Sequence, residues 1–176
     1  FIENKVLYLA LVNKKGQLKK IESYRSLFQK KLIENNVLIM AGGKGKRLLP
    51  LTKDNPKPML KIGGLPLLET TIRNIARLGF YNITISLNYK GSHIEKYFKD
   101  GSDYGVSITY IKEEKELGTV GALSIFHPSN NLPFIVMNGD ILTTLNFKKI
   151  VNFHNLNNAF STMTVRSIDF EIPYGV

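Results

Sequence analysis

Short apolar runs alternate along the chain with stretches of helical period. Val37-Leu38-Ile39-Met40 has no polar position, which suits a strand buried on both faces. Pro66 at a first-turn position, Leu68, Ile72 and Ile75 at helical spacing, and Gly79 just past the end predict a helix. Ile83, Ile85 and Leu87 alternate with polar residues and predict the next strand. Ser92 with Glu95 three residues on is a capping-box pattern for a helix reaching about Phe98, and Val106 to Ile111 predicts a further strand. Thr119 to Phe126 reads as a helix, Pro133 to Met137 as a buried strand, Phe147 to Asn155 as a helix and Phe160 to Arg166 as a strand. This alternation predicts an α/β fold: a mostly parallel sheet with helices on both faces and ligands at the carboxyl ends of the strands.

Ahead of that pattern, Val6 to Val12, a turn at Asn13-Lys14-Lys15-Gly16 and a second run from Gln17 to Ile21 read as a β-hairpin, followed by a short helix from about Tyr24 to Lys31. Glu34-Asn35-Asn36 is a polar linker. The expected division is therefore residues 1–34 as a separate remnant with its linker, and residues 35–176 as the main domain. Phe1 is not a natural start and Val176 ends the chain inside an apparent strand, so the chain is expected to be a fragment, truncated at the C-terminus of its main domain.

Composition narrows the class. At 176 residues and 43% hydrophobic content, one well-buried core is expected. No run approaches the roughly 18 apolar residues of a membrane span, so no membrane partner is expected. The absence of cysteine and of a leader-like N-terminus points to a cytoplasmic protein. The formal charge of +10 could signal a polyanion, but the basic residues are spread along the chain and no basic helix is interleaved with aromatics. No nucleic-acid partner is expected.

The strand ending at Met40 opens into Ala41-Gly42-Gly43-Lys44-Gly45-Lys46-Arg47-Leu48. Three glycines in four residues let a backbone take positive φ and approach a triphosphate closely enough for its N–H groups to donate, while Lys44, Lys46 and Arg47 add cations. The loop lacks the Gly-Lys-Ser/Thr ending of a P-loop and the Rossmann glycine spacing with a distant acidic residue. Pro133 to Asp140 is an apolar strand ending in Gly-Asp, which puts a carboxylate beside that loop and makes Asp140 the candidate metal ligand. Mg²⁺ commonly takes one or two protein carboxylates and completes its shell with phosphate oxygens and water. His93, His127 and His154 have no metal-ligand spacing and read as surface or cap residues.

The continuous segment AGGKGKRLLPLTKDNPKPMLKIGGLPLLE, from Ala41 to Glu69, resembles the signature of the sugar-1-phosphate nucleotidyltransferases. The resemblance implies a Rossmann-like nucleotidyltransferase fold in which Gly42, Gly43, Gly45 and Arg47, with Ala41 and Lys46 in the same loop, cradle the nucleotide phosphates. Lys57, held in Pro56-Lys57-Pro58, would contact them from the other side. In the stretch from Tyr110 to Gly121 it implies that Glu113 meets the base and Gly118 packs against it. A carboxylate only accepts, so Glu113 suits the N1–H and N2–H₂ of guanine or the N3–H of a pyrimidine, with GTP favoured. Gly175, in Pro173-Tyr174-Gly175, would meet the sugar. The family normally supplies a second metal-binding Asp from further along the chain than Val176. Residues 5 to 31 resemble the tail of a CBS regulatory domain, a module found ahead of such catalytic domains in bacterial enzymes for surface sugars.

The implied activity is that of an NDP-sugar pyrophosphorylase, which makes an NDP-sugar and pyrophosphate from a nucleoside triphosphate and a hexose or amino-sugar 1-phosphate, with Mg²⁺ as cofactor. Arg47, Lys57 and Asp140 are the expected catalytic residues. Homo-oligomers through the CBS or catalytic domains are expected of the full-length protein. The alternative is a noncatalytic nucleotide-sensing protein of the same fold.

Overall fold

The computed structural model describes residues 8–23, 32–115, 117–118 and 120–169. The chain divides into two compact units, Phe1–Leu142 and Thr143–Val176.

In the first unit, β1 (Tyr8–Val12) and β2 (Leu18–Ser23) form the expected antiparallel hairpin. Its turn is closed by Asn13, whose side-chain oxygen accepts from the N–H groups of Lys15 at 2.9 Å and Gln17 at 3.0 Å. Val6, Leu7 and the helix expected from Tyr24 to Lys31 lie outside the described residues.

The main sheet begins with β3 (Val37–Met40). A small antiparallel pair, β4 (Lys61–Ile62) and β5 (Leu65–Pro66), leads into helix α1 (Leu67–Leu78). Pro66 is the residue before the first helical one, and Gly79 ends the helix at φ 98°, a conformation glycine adopts without a Cβ clash. Strand β6 (Asn82–Leu87), helix α2 (Gly91–Phe98), strand β7 (Ser107–Lys112) and strand β8 (Ile135–Asn138) follow.

The sheet order is β7-β6-β3-β8 and every pairing in it is parallel. The connections through α1 and α2 both step in one direction across the sheet, whereas the one from β7 to β8 steps back past two strands. With right-handed crossovers this puts α1 and α2 on one face and the β7–β8 connection on the other. Leu68, Ile72, Ile75, Ile94 and Phe98 of the two helices are almost wholly buried. On the opposite face, Leu38 packs with Ala122 and Phe126 of the returning connection.

Several expectations change. Thr84 and Ser86 belong to the polar phase of the β6 pattern, yet both are buried because they share the face of Leu38 and Met40, which the β7–β8 connection covers. The capping box at Ser92 does not form. Helix α2 starts at Gly91 after a left-handed Lys90 with no side-chain cap, and an added Cβ at Gly91 would lie 2.8 Å from that of Leu87. The helix expected from Thr119 to Phe126 is a single 3-10 turn, Gly121–Ser124, bounded by Val120 and Ile125 at φ −126° and −118°, so too few helical residues remain to close an α-turn. The other face is thus covered by a 3-10 segment. Strand β8 starts at Ile135 because Pro133 has no N–H to donate; the first rung is Ile135 N–H to Asn36 O at 2.9 Å.

In the second unit, α3 (Phe147–Leu156) is capped by Asn146, whose side chain accepts from the N–H groups of Lys148 and Lys149. Residues 160–166 form no strand: no ladder partner exists among the described residues, and Phe160, Met163 and Val165 are exposed. An apolar, β-branched run reports a preference for a pleated, half-buried surface and does not make a strand without one. No helix among the described residues is long and apolar enough to cross a membrane.

Candidate active site

At the carboxyl edge of the sheet the chain opens a cleft of about 560 Å³. Ten of the sequence-predicted site residues line it. They are the loop residues Ala41, Gly42, Gly43, Gly45, Lys46 and Arg47, together with Lys57, Glu113, Gly118 and Asp140. Gly175 lies outside the described residues.

Each arm of the cleft continues a strand by one extra backbone bond. Ala41 N–H donates to Ser86 O at 2.9 Å, Glu113 N–H to Leu87 O at 2.8 Å, and Gly139 N–H to Met40 O at 2.9 Å. Three separate loops therefore leave the sheet with their first residues pinned.

The glycines of the loop have different reasons to be glycine. Gly42 is set by close approach: an added Cβ would lie 3.1 Å from Asn88 Cβ and 3.3 Å from Glu113 Oε1. Gly45 alone of the three takes the left-handed conformation, at φ 62°, and an added Cβ would also meet Thr52 Cγ2 at 2.9 Å. Gly43 meets nothing. The expectation that all three use positive φ holds only for Gly45, where the chain turns into the 3-10 segment Lys46–Leu48 carrying Arg47. Thr52, buried, fixes that turn by donating its hydroxyl to Gly45 O at 3.0 Å. Sequence reasoning passed over Thr52, and a threonine in a loop seven residues away gives no local signal of this contact.

Across the cleft, Pro56 precedes a second 3-10 turn, Lys57–Met59. Pro56 and Pro58 are buried, so the two rings anchor the segment and leave Lys57 between them, facing the cleft. The Lys57 ammonium forms an ion pair with Asp140 Oδ2, both side chains about one-third exposed. Gly139 brings Asp140 there, since its added Cβ would lie 3.3 Å from both Ile39 Cγ2 and Met40 O. The candidate phosphate lysine and the candidate metal carboxylate thus meet each other directly.

At the third arm, Glu113 is held at both ends. Its carbonyl accepts from Asn88 Nδ2 at 2.9 Å, and its Oε1 accepts a hydrogen bond from Ser86 Oγ. Gly118, at φ 79°, follows it along the wall. His93 and His127 are exposed, and His154 Nδ1 contacts Thr162 Oγ1 at 3.0 Å in the second unit. Among the described residues there is no group of three or more His, Cys, Asp or Glu that could hold a metal. The donor set at Asp140, one carboxylate beside the phosphate loop, fits a Mg²⁺ that also takes phosphate oxygens and water.

The chain is similar to catalogued proteins over most of this region. A family described as nucleotidyl transferase matches residues 36–176. Mannose-1-phosphate guanyltransferase of Candida albicans is 36% identical over 146 residues, covering 79% of this chain and 40% of that protein. Mannose-1-phosphate guanylyltransferase of Mycobacterium tuberculosis is 37% identical over 129 residues, covering 73% of this chain and 36% of that protein. Among solved structures, HddC from Yersinia pseudotuberculosis complexed with GMP-PN superposes with a TM-score of 0.59 at 32% identity, covering 68% of this chain and 54% of that one. The chain therefore spans well under half the length of these two curated relatives. With the family matched from β3 onward and the parallel sheet and its edge cleft in place, the chain belongs to the nucleotidyl transferase family.

Proposed function

We propose that this chain is the nucleotide-binding part of a sugar-1-phosphate nucleotidyltransferase that uses GTP and a hexose or amino-sugar 1-phosphate to make an NDP-sugar and pyrophosphate. One observation carries the reading: the ends of β3 and β8 bring a glycine loop with its arginine and a carboxylate to one cleft, where a proline-anchored lysine meets that carboxylate. The guanine preference is supported by the acceptor-only Glu113 in the same cleft and by the mannose-1-phosphate guanylyltransferase relatives.

In the reaction, an oxygen of the sugar 1-phosphate attacks the α-phosphorus; a new P–O bond forms as the bond to the bridging oxygen of pyrophosphate breaks. Backbone N–H groups of the Gly42 to Gly45 turn and the cations of Lys46 and Arg47 hold the triphosphate where negative charge spreads in the transition state. Lys57 exchanges Asp140 for a phosphate oxygen. Asp140 would hold Mg²⁺, which supplies charge neutralisation of the phosphates when bound. No covalent enzyme intermediate is required; positioning and electrostatics suffice. The reading places the protein in the cytoplasm, where nucleoside triphosphates are made, and takes the hairpin of residues 8–23 as the end of a CBS module.

In the full-length protein, Arg47→Ala or Asp140→Ala is expected to reduce pyrophosphate release by orders of magnitude. Near-normal release from either variant would overturn the assignment.

A further inference from the structure

The hydroxyl of Ser86 is the least expected polar group of the sheet. It lies on an internal strand, fully buried, and it sits level with Met40 on one side and Ile111 on the other. Side chains two apart along a strand share a face, so Glu113, two residues past Ile111, continues the face to which Ser86 belongs. A buried hydroxyl without a partner is costly. Ser86 donates to Glu113 Oε1, the carboxylate that lines the cleft.

Glu113 is thereby held at three points: its N–H on Leu87 O, its carbonyl on Asn88 Nδ2, and its Oε1 on Ser86. The Gly42 backbone closes the space beside Oε1, because even a methyl group at Gly42 would come within 3.3 Å of that oxygen. The carboxylate cannot turn freely about its last bond without giving up the Ser86 hydrogen bond. Its orientation is set from beneath, by a fully buried residue that does not line the cleft.

We propose that Ser86 is a positioning residue that sets the carboxylate plane of Glu113 and so determines how well the site distinguishes bases. The inference rests on Glu113 meeting the base, as proposed above. Two parallel bonds to the N1–H and N2–H₂ of guanine require both carboxylate oxygens in the plane of the base, whereas a single bond to an N1–H tolerates rotation. Loss of the Ser86 donor therefore weakens a guanine nucleotide more than a hypoxanthine nucleotide, which presents N1–H without the 2-amino group. Phosphate-loop contacts are untouched, so the effect falls on KM.

The test compares GTP with ITP in the full-length protein. Ser86→Ala is expected to raise KM for GTP on the order of tenfold, the scale of one hydrogen bond to a charged group, with KM for ITP changed about twofold or less and kcat for both within about twofold. Ser86→Thr, which keeps the hydroxyl on a β-branched residue suited to a strand, is expected to restore the GTP preference. Equal losses for GTP and ITP, no change for either, or a fall in kcat at constant KM would overturn the proposal. Glu113→Gln separates the two layers. If it leaves KM for GTP unchanged, the base-contact reading fails and Ser86 with it; if it raises KM while Ser86→Ala is silent, only the positioning role fails.

Discussion

Two of the carboxylate-cation pairs in the first unit, Lys57–Asp140 and Arg73–Glu69, differ in how completely the protein surrounds them. Asp140 and Lys57 face each other across the cleft at 27% and 37% side-chain exposure. Glu69, on α1, is 2% exposed and is enclosed by its own side of the fold. It accepts from Arg73 Nε at 2.7 Å and Nη2 at 2.6 Å, and from the Tyr97 hydroxyl at 2.7 Å; Arg73 also stacks over the ring of Tyr104, 5.2 Å from its centroid. That carboxylate has several donors and ties α1 to α2 and to the turn at Tyr104. Asp140 has one cationic partner among the described residues, and that partner lies in the same cleft. A buried charge whose donors come from its own helix and the one packed on it is structural, whereas a half-solvated pair in a cleft can exchange partners at small cost.

The sharpest way to break this contrast is to remove the cation from each pair. Lys57→Met is expected to lower turnover about 10²-fold while changing unfolding free energy by less than about 1 kcal/mol, the range of exposed ion pairs and of one lost transition-state donor. Arg73→Met reverses the pattern. Removing one partner of a buried pair costs roughly 3–5 kcal/mol, but the Arg73 side chain is 56% exposed and water replaces part of the contact, so about 2 kcal/mol is expected, with turnover per folded molecule retained. Denaturant melts and steady-state rates on both variants decide the matter; a Lys57→Met protein destabilised as much as Arg73→Met would erase the distinction.

A smaller effect separates the donors to Glu69. Tyr97→Phe removes one hydroxyl and is expected to cost about 1 kcal/mol. Its hydrogen bond to Glu69, followed by burial, pushes the Tyr97 phenol from 10.0 to about 12. The folded state therefore favours the neutral phenol, so this stabilisation is complete below pH 10 and is lost as pH rises through about 12. Melting temperatures between pH 9 and 12 should fall less steeply in Tyr97→Phe than in the parent. Equal slopes would show that Tyr97 does not report on the enclosed carboxylate.

The sheet and the loop were legible in sequence because their signals are local. Val37 to Met40 is an apolar run, Gly79 marks a helix end and Gly42 to Arg47 is contiguous, so each could be read within a window of a few residues. The contacts that turn them into a site span long intervals of chain. Ser86 reaches Glu113 across 27 residues and Thr52 holds Gly45 seven residues back, and neither serine nor threonine announces such a partner. The Lys57–Asp140 pair could be anticipated only as two residues on opposite walls. Local reading also overstated order between β7 and β8, where Gly118 and Gly121 interrupt the helical pattern. Gly121 packs so near Leu117 that a Cβ would fall 2.2 Å from the Leu117 Cβ.

The three backbone bonds that carry Ala41, Glu113 and Gly139 past the ends of their strands give the cleft a measurable rhythm. These amides are bonded into the parallel ladder, so deuterium should replace their protons slowly, while the exposed turn at Lys46 and Arg47 exchanges early. The rim of the pocket keeps the clock of the core although its interior faces water. Bound nucleotide would then slow the turn far more than the rim.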